Sequence, residues 1–222
     1  MSRKVKALIF DMDGLMIDTE TIIYKLYKQV FKEHGYELTL DIFKESIGLR
    51  TVDTSAVYKA HYDDKFDYIK LRDYAQGRFW KYFADAGDAV IKKGLFELLD
   101  YAKANELKLA VATSTRRETA AEILEKIGVY KYFDVFVYGD IIENGKPAPD
   151  IYIKASEMLD IPCEYCIGLE DSFNGIKSVY LAGMIPVMVP DMLEPTEEIK
   201  KILFNRVDSL LDVIPLLEEI NA

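Results

Sequence analysis

The sequence predicts an α/β protein with a doubly wound parallel sheet and a helical domain inserted after the first strand. Three observations support this fold class: an apolar run near the N-terminus, further apolar runs that alternate with helical stretches from Gly94 onward, and an intervening segment with helical periodicity alone. Strands that alternate with helices are typical of a parallel sheet covered by helices on both faces.

Five short apolar runs indicate the strands, because each ends at polar or glycine positions. They read VKALIF, LKLAVAT, FDVFVYG, EYCIGL and IPVMV. Stretches such as RETAAEILEKIG and NGIKSVYLAG lie between the later runs and indicate helices. Ligands of a doubly wound sheet bind outside the carboxyl ends of the strands, so the polar residues that directly follow a strand are the candidates for function.

The segment between the first strand and Gly94 shows apolar residues at helical spacing in two places. These are Ile22, Ile23, Leu26, Tyr27, Val30 and Phe31, and then Tyr68, Leu71, Ala75, Phe79 and Tyr82. We therefore expect a helical cap domain over residues 19–90 and an α/β core from residues 1–18 and 91–222. Because the cap leaves the core just after the first strand, we expect it to lie over the ligand crevice as a lid.

The composition is that of a globular domain, with 50% hydrophobic and 30% charged residues. The formal net charge of -10 argues against nucleic-acid and membrane partners, which require a basic face. No stretch approaches the roughly 18 consecutive apolar residues of a membrane span, and we see no signal peptide. We expect a cytoplasmic protein, and a monomer because no separate interface element stands out.

The first strand ends in the motif D-x-D-G, which contains Asp11 and Asp13. Taken alone this motif is weak, because most such stretches are turns or helix caps. It is not a calcium-binding EF-hand loop, since Leu15, Met16 and Ile17 follow where further oxygen ligands would be needed.

The stretch LAVATSTRR ends a later strand and carries Thr113, Ser114, Thr115, Arg116 and Arg117. Thr115 and Glu118 fit a capping box, which gives Thr115 a structural explanation. Arg116 and Arg117 would lie in the first turn of a helix, where the macrodipole disfavours cations. A bound anion explains the two arginines better than helix stability does.

Two further strand ends carry charged side chains. Lys146 lies in ENGKPAPDIY, where Pro147 and Pro149 restrict the backbone on either side of it. Glu170 and Asp171 are adjacent in IGLEDSFNG, where they could cap a helix or hold a cation.

Together these groups meet the needs of metal-assisted phosphoryl transfer. Carboxylates from two strands supply the hard oxygen ligands that Mg²⁺ prefers. A hydroxyl and a lysine supply donors to the oxygens of a transferring phosphoryl group. One carboxylate is then available to attack phosphorus and a neighbouring one to move a proton.

Four motifs occur along the chain in the order D-x-D-G, strand-end Thr, Lys-Pro and G-L-E-D-S. This order resembles that of the haloacid dehalogenase (HAD) superfamily. The resemblance covers the whole chain and includes the helical insert of the β-phosphoglucomutase-like branch, to which similar phosphosugar phosphatases also belong. It implies a Rossmann-like core and phosphoryl transfer through an aspartyl-phosphate.

The resemblance also implies roles for individual residues. Asp11 would be the nucleophile, and Asp13 would be the general acid and later the base for water. Thr113 and Lys146 would hold the phosphoryl oxygens, and Lys146 would temper the repulsion between Asp11 and an anionic substrate.

A Mg²⁺ ion would be the cofactor, and the resemblance implies its ligands. These would be Asp11, the backbone carbonyl of Asp13 and Asp171, with Glu170 as an additional ligand or in the outer shell. The residues expected to bind substrate are Arg50, Ser114, Thr115, Arg116 and Arg117.

The type of reaction is predicted from the positions at which this chain differs from members of the family with other activities. Dehalogenases lack the second aspartate, here Asp13, so we exclude dehalogenation. Arg50 in IGLRTVD could grip a second phosphate in a mutase, but similar phosphatases carry the same stretch. The mutase histidine aligns with Ile23, and its cap lysine aligns near Ala75 or Gln76.

We therefore expect a Mg²⁺-dependent phosphatase that acts on small phosphorylated metabolites, above all sugar phosphates. A β-phosphoglucomutase-type mutase is the alternative. A catalytically idle binding protein of the same fold is the third possibility, and the complete set of acids argues against it.

Overall fold

The computed structural model describes residues 4–47, 51–63 and 65–222 of the chain. The chain divides into two compact units. Residues 1–17 and 91–222 form one of them, here called the core unit, and residues 18–90 form the other, here called the helical unit.

The core unit contains a parallel sheet, to which the described residues contribute six strands. They are β1 (Ala7–Phe10), β2 (Lys108–Thr113), β3 (Val135–Tyr138), β4 (Cys166–Glu170), β5 (Ile185–Met188) and β6 (Asn205–Arg206), in the spatial order β3-β2-β1-β4-β5-β6. Strand β1 is central, since Ile9 pairs with Ala110 on one side and with Gly168 on the other. The predicted doubly wound sheet is confirmed.

The five predicted strands are β1 to β5, and the two-residue strand β6 was not predicted. Strands β1, β2 and β4 read as apolar runs because they are buried, apart from Lys108 at the start of β2. Strand β6 consists of Asn205 and Arg206, both half-buried and polar, so no apolar run marks it.

The helical unit contains five helices within its described residues: α1 (Thr19–Glu33), α2 (Leu40–Ser46), α3 (Thr51–His61), α4 (Tyr68–Gln76) and α5 (Phe79–Ala86). Asp18 begins α1 by accepting a hydrogen bond from the backbone N–H of Thr21 at 3.1 Å. The interior is aromatic, because the Phe31 ring meets Tyr58 and Phe66 edge-on at centroid distances of 5.2 and 5.1 Å. The predicted helical character of this segment is confirmed.

The core unit adds helices α6 (Leu95–Ala104), α7 (Arg117–Lys126), α8 (Asp150–Leu159), α9 (Phe173–Leu181), α10 (Glu197–Lys200) and α11 (Val213–Asn221). Helix α8 packs on β2 and β3, and α9 packs on β4 and β5. None of the helices in the described part of the chain has the length and hydropathy that crossing a lipid bilayer requires.

The sheet brings three polar residues to one edge. Thr113 is the last residue of β2, Glu170 is the last residue of β4, and Asp11 directly follows β1 between them. The backbone N–H of Asp11 donates to the carbonyl of Leu169 at 3.0 Å, which continues the pairing of β1 and β4. Since the strands are parallel, these side chains share the carboxyl edge of the sheet.

Candidate active site

Lys146 lies buried between two carboxylates. Its ammonium donates to Asp11 Oδ1, to Glu170 Oε1 at 2.6 Å and to the backbone carbonyl of Ala112 at 3.1 Å. The Lys146 side chain is 8% exposed. An ammonium has three donors, and here each of them has an acceptor, so the position of the charge is well defined.

Glu170 is fully buried, and both of its carboxylate oxygens accept hydrogen bonds from two donors. Besides Lys146, Oε1 accepts from the hydroxyl of Tyr152 at 2.8 Å. Oε2 accepts from the backbone N–H of Ser172 at 3.3 Å and from its hydroxyl at 3.0 Å. A carboxylate offers about four lone-pair sites, so hydrogen bonds within the core unit already account for those of Glu170.

The glycine of helix α9 makes room for this buried carboxylate. A Cβ atom at Gly175 would lie 1.9 and 2.0 Å from the two oxygens of Glu170. Gly175 therefore packs directly against the Glu170 carboxylate.

Asp171 completes a cluster of three carboxylates. One oxygen each of Asp11, Glu170 and Asp171 can be chosen so that all three lie within 4.8 Å of one another. Asp171 also lies against Gly14, where a Cβ atom would be 2.2 Å from Asp171 Oδ2. Three carboxylates this close repel one another, and a hard oxygen-only donor set fits a divalent cation such as Mg²⁺.

The electrostatics of this cluster favour proton or cation uptake. Burial raises the pKa of Asp11 to about 8, and Glu170 and Asp13 add to the increase while Lys146 opposes it. Burial and the negative charges of Glu170 and Asp11 raise the pKa of Asp171 well above its ordinary range. A metal ion that binds these carboxylates would displace the protons that their raised pKa values favour.

Lys146 remains charged in this environment. Burial alone lowers its pKa, but the ion pairs with Asp11 and Glu170 outweigh burial and raise the pKa above its ordinary value. The site therefore contains a fixed positive charge beside Asp11.

Asp13 is held by two threonines. The Thr115 hydroxyl donates to Asp13 Oδ2 at 2.7 Å, and the Thr113 hydroxyl approaches the same oxygen at 3.5 Å. Thr113 is fully buried, and its hydroxyl oxygen accepts from the backbone N–H of Thr115 at 3.0 Å. The turn after β2 therefore fixes one oxygen of the second aspartate of the D-x-D-G motif.

The sequence that builds this site matches a known family of hydrolases. Residues 8–189 match the family model described as haloacid dehalogenase-like hydrolase. The chain belongs to this family. The resemblance inferred from the four motifs is thus confirmed.

One relative and two solved structures are similar to this chain. The chain is 32% identical to the phosphorylated carbohydrates phosphatase of Thermotoga maritima over 184 residues, which cover 81% of this chain and 82% of that protein. A HAD family hydrolase from Deinococcus radiodurans, solved with bound phosphate and sodium, is 25% identical with a TM-score of 0.82, covering 98% of this chain and 97% of that one. The β-phosphoglucomutase of Clostridium difficile is 21% identical with a TM-score of 0.76 over 98% and 97% of the chains, and shares the fold.

The structure separates the residues predicted to bind substrate in this haloacid dehalogenase-like hydrolase. Thr115 contacts Asp13, whereas Ser114 and Arg116 are exposed. The guanidinium of Arg117 lies over the Tyr138 ring, 5.5 Å from its centroid, and this contact accounts for its position without an anion. Arg50 lies outside the described residues.

The prediction of a capping box at Thr115 is wrong. Helix α7 begins with Arg116 as its N-cap residue, which makes no side-chain capping bond. Thr115 is one residue further from the helix, and its hydroxyl donates to Asp13 instead. The hydrogen bond to Asp13, 102 positions earlier in the chain, takes the place of the local capping bond. The spacing of residues along the sequence gives no sign of such a distant partner.

Two contacts of this hydrolase have no signal in the sequence. Tyr152 belongs to the helical stretch DIYIKASEML, whose period marks it as a core residue but gives no partner for its hydroxyl. Ser172 follows the G-L-E-D motif directly, and its hydroxyl also caps α9 by accepting from the backbone N–H of Gly175 at 3.1 Å. Both residues donate to Glu170, which is the contact that spacing alone could not predict.

Proposed function

We propose that this hydrolase is a Mg²⁺-dependent phosphatase that cleaves small phosphorylated metabolites, principally sugar phosphates, through an aspartyl-phosphate on Asp11. The observation that carries the proposal is the arrangement around Asp11: Lys146 holds its carboxylate, and Asp171 lies in the same carboxylate cluster. The related Thermotoga maritima protein, named for phosphorylated carbohydrates, supports the substrate class.

Asp11 is the proposed nucleophile because its carboxylate is buried and oriented. Only 7% of the residue is exposed, and Oδ1 accepts a hydrogen bond from Lys146. Burial removes water that would otherwise shield the carboxylate. The positive charge of Lys146 offsets the repulsion between this carboxylate and an incoming phosphate dianion.

Asp13 is the proposed proton carrier. In the first step an oxygen of Asp11 bonds to phosphorus, the bond from phosphorus to the alcohol oxygen breaks, and Asp13 gives its proton to that oxygen. In the second step water attacks phosphorus, Asp13 takes the proton, and the bond from Asp11 to phosphorus breaks. Inorganic phosphate leaves, and both aspartates return to their starting states.

Thr113 and Lys146 are the proposed donors to the phosphoryl oxygens. Thr113 ends β2 and Lys146 reaches the same strand through the Ala112 carbonyl, so both are held at one edge of the sheet. Preorganised donors of this kind stabilise the charge that develops on the transferring group.

The residues fit a Mg²⁺ ion held by Asp11, Asp171 and the backbone carbonyl of Asp13. When bound, the ion would neutralise carboxylate and phosphoryl charge. We place Glu170 outside the direct ligands, because its oxygens already accept four hydrogen bonds. We keep Asp171 as a ligand, since its carboxylate lies in the same cluster as that of Asp11 and against Gly14.

The residue at position 23 favours hydrolysis over the mutase reaction. The residue there is Ile23, which is half-buried on helix α1 and offers no proton or hydrogen bond, although a mutase histidine aligns with it. Without a polar partner for a second sugar hydroxyl, water is the better acceptor for the phosphoryl group.

The proposal is tested with a panel of phosphorylated sugars and other small phosphate monoesters. Released inorganic phosphate is measured with Mg²⁺ and with a chelator, and Asp11→Asn serves as the control for contaminating phosphatases. We expect phosphate release from at least one sugar phosphate, only with Mg²⁺ and only with the wild-type protein. No release from any compound of the panel would contradict the proposal.

A further inference from the structure

Tyr152 is a buried polar residue to which the mechanism above assigns no part. Its side chain is fully buried within the core cluster that includes Ala110, Ala112 and Val137. Helix α8, which carries it, packs on β2 and β3. The ring is therefore rigidly placed beneath the strands that bear the site.

The Tyr152 hydroxyl converges with Lys146 on one oxygen atom. It donates to Glu170 Oε1 at 2.8 Å, and the Lys146 ammonium donates to the same atom at 2.6 Å. The ammonium also lies 5.2 Å from the centroid of the Tyr152 ring. Tyr152 thus contacts the surroundings of the lysine in two ways, through a shared acceptor and through its aromatic face.

The donors to Glu170 come from three separate segments. Lys146 lies in the loop before α8, Tyr152 lies on α8, and Ser172 precedes α9. Among the described residues, Ser172 donates to Oε2, and Tyr152 and Lys146 donate to Oε1. Tyr152 is therefore the rigid group that holds the oxygen to which Lys146 is tied. Burial and the charge of Glu170 raise the pKa of Tyr152 well above its ordinary value, so the phenol remains a donor.

We infer that Tyr152 is a positioning residue for phosphoryl transfer: by holding Glu170 Oε1, its hydroxyl fixes the Lys146 ammonium against Asp11. This inference rests on the proposed function of Lys146 and Asp11 at this site. Loss of the hydroxyl leaves Oε1 with Lys146 as its remaining donor among the described residues, and the glutamate and the ammonium can then shift together away from Asp11.

The first test compares Tyr152→Phe with Tyr132→Phe. Both changes remove a tyrosine hydroxyl that donates to a carboxylate in the core unit, but the Tyr132 hydroxyl donates to Asp100 at 2.9 Å on the exposed surface. We expect kcat of Tyr152→Phe to fall about tenfold, as for the loss of an outer-shell partner, with KM within about twofold. Tyr132→Phe should match the wild type in both constants.

The concentration of Mg²⁺ needed for half-maximal activity separates this role from a role at the metal. We expect it to stay within about twofold in Tyr152→Phe, since Asp11 and Asp171 are unchanged. An unchanged kcat, or a reduction restored in full by more Mg²⁺, would overturn the inference.

The second test observes the Lys146 ammonium directly and does not depend on turnover. In ¹H–¹⁵N spectra of uniformly labelled protein at neutral pH, a buried ammonium with three acceptors should exchange slowly with water and give a signal, assigned by its loss in Lys146→Met. We expect this signal to broaden or shift in Tyr152→Phe and to persist in Tyr132→Phe. An unchanged signal in Tyr152→Phe, or no signal in the wild type, would overturn the inference.

The two tests also separate this inference from the proposed function. A wild-type protein that cleaves no phosphate monoester but shows the Tyr152-dependent ammonium signal would contradict the phosphatase proposal, while the finding that Tyr152 positions the Lys146 ammonium would stand. If Tyr152→Phe does not fold, 3-fluorotyrosine introduced at position 152 replaces it, because that residue keeps the phenol and alters its hydrogen bond. Fluorination at 152 should then shift the Lys146 signal, and fluorination at 132 should not; no shift would overturn the inference.

Discussion

The hydroxyl of Thr115 donates to Asp13 Oδ2 at 2.7 Å, and this bond joins the turn after β2 to the D-x-D-G motif after β1. The bond holds one carboxylate oxygen of Asp13 in a fixed position. In our proposal it orients the general acid.

We predict that Thr115→Val lowers kcat about tenfold, because the general acid loses the donor that orients it. Thr115→Ser keeps the hydroxyl and should retain kcat within about threefold. Steady-state kinetics on the best sugar phosphate of the panel measures both variants. Equal kcat values for Thr115→Val and Thr115→Ser would show that Asp13 does not need this hydrogen bond.

We predict that Glu170→Gln destabilises the protein. The change removes one of the two carboxylates that pair with buried Lys146, while Asp11 remains as the other, and it leaves a buried donor with a weaker acceptor, which costs about 1 to 3 kcal/mol of unfolding free energy. Urea unfolding measures the effect. The matched control is Glu197→Gln on α10, which breaks an exposed pair with Lys200 and should leave the urea midpoint unchanged. A similar midpoint for both variants would mean that the buried pair contributes no more than the exposed one.

Metal-free protein should lose stability as the pH rises towards 8. The pKa of Asp11 rises from its ordinary value of 3.8 to about 8 on folding, so the folded state keeps a proton that the unfolded state releases. This contribution is complete below the ordinary value and is lost as the pH rises through about 8. Thermal unfolding in a chelator between pH 5 and pH 8, with Asp11→Asn as the control, measures it.

Mg²⁺ should reverse this trend, because it binds the deprotonated carboxylates. The rise in unfolding temperature on adding Mg²⁺ should be larger at pH 8 than at pH 6, and smaller for Asp11→Asn at both values. A Mg²⁺ effect that does not depend on pH would contradict the assignment of Asp11 as a ligand.

We predict that the protein releases phosphate faster than it isomerises sugar phosphates. Glucose 6-phosphate should be hydrolysed without a bisphosphate activator, and β-glucose 1-phosphate should be converted to the 6-phosphate slowly or not at all. The reason is that water at phosphorylated Asp11 needs only Asp13 as its base. Both products are measured in one sample, and isomerisation that outruns phosphate release would favour the mutase alternative.

The sheet was predictable because its central strands are buried on both faces and therefore form continuous apolar runs between polar ends. The strand ends then located Asp11, Thr113 and the Glu170–Asp171 pair, since one edge of a parallel sheet collects them. Lys146 reaches the same edge from the loop between β3 and α8. The length of α4 was less predictable: the apolar stripe that starts at Tyr68 continues past Gly77 into α5, so one pattern covers two helices.

The partners of the site residues could not be predicted from the sequence. The capping pattern at Thr115 was misleading because a tertiary contact with Asp13 competes with the local helix cap. The hydroxyl of Tyr152 reaches Glu170 through the packing of α8 on the sheet, and Lys146 reaches the carbonyl of Ala112 from the loop before α8. Spacing along the chain identifies such residues as core and is silent about their hydrogen bonds.

The most direct test of the central claim is to trap the covalent intermediate. Wild-type protein is mixed with its best substrate and Mg²⁺, quenched with acid within the first turnover, digested and analysed by mass spectrometry, with Asp11→Asn treated in parallel. We predict a hydroxylamine-sensitive phosphoryl group on Asp11 in the wild type and none in the variant, whose turnover should be below about a hundredth of the wild-type rate. A phosphoryl group on another residue, or turnover by Asp11→Asn above that level, would contradict the assignment of Asp11 as the nucleophile.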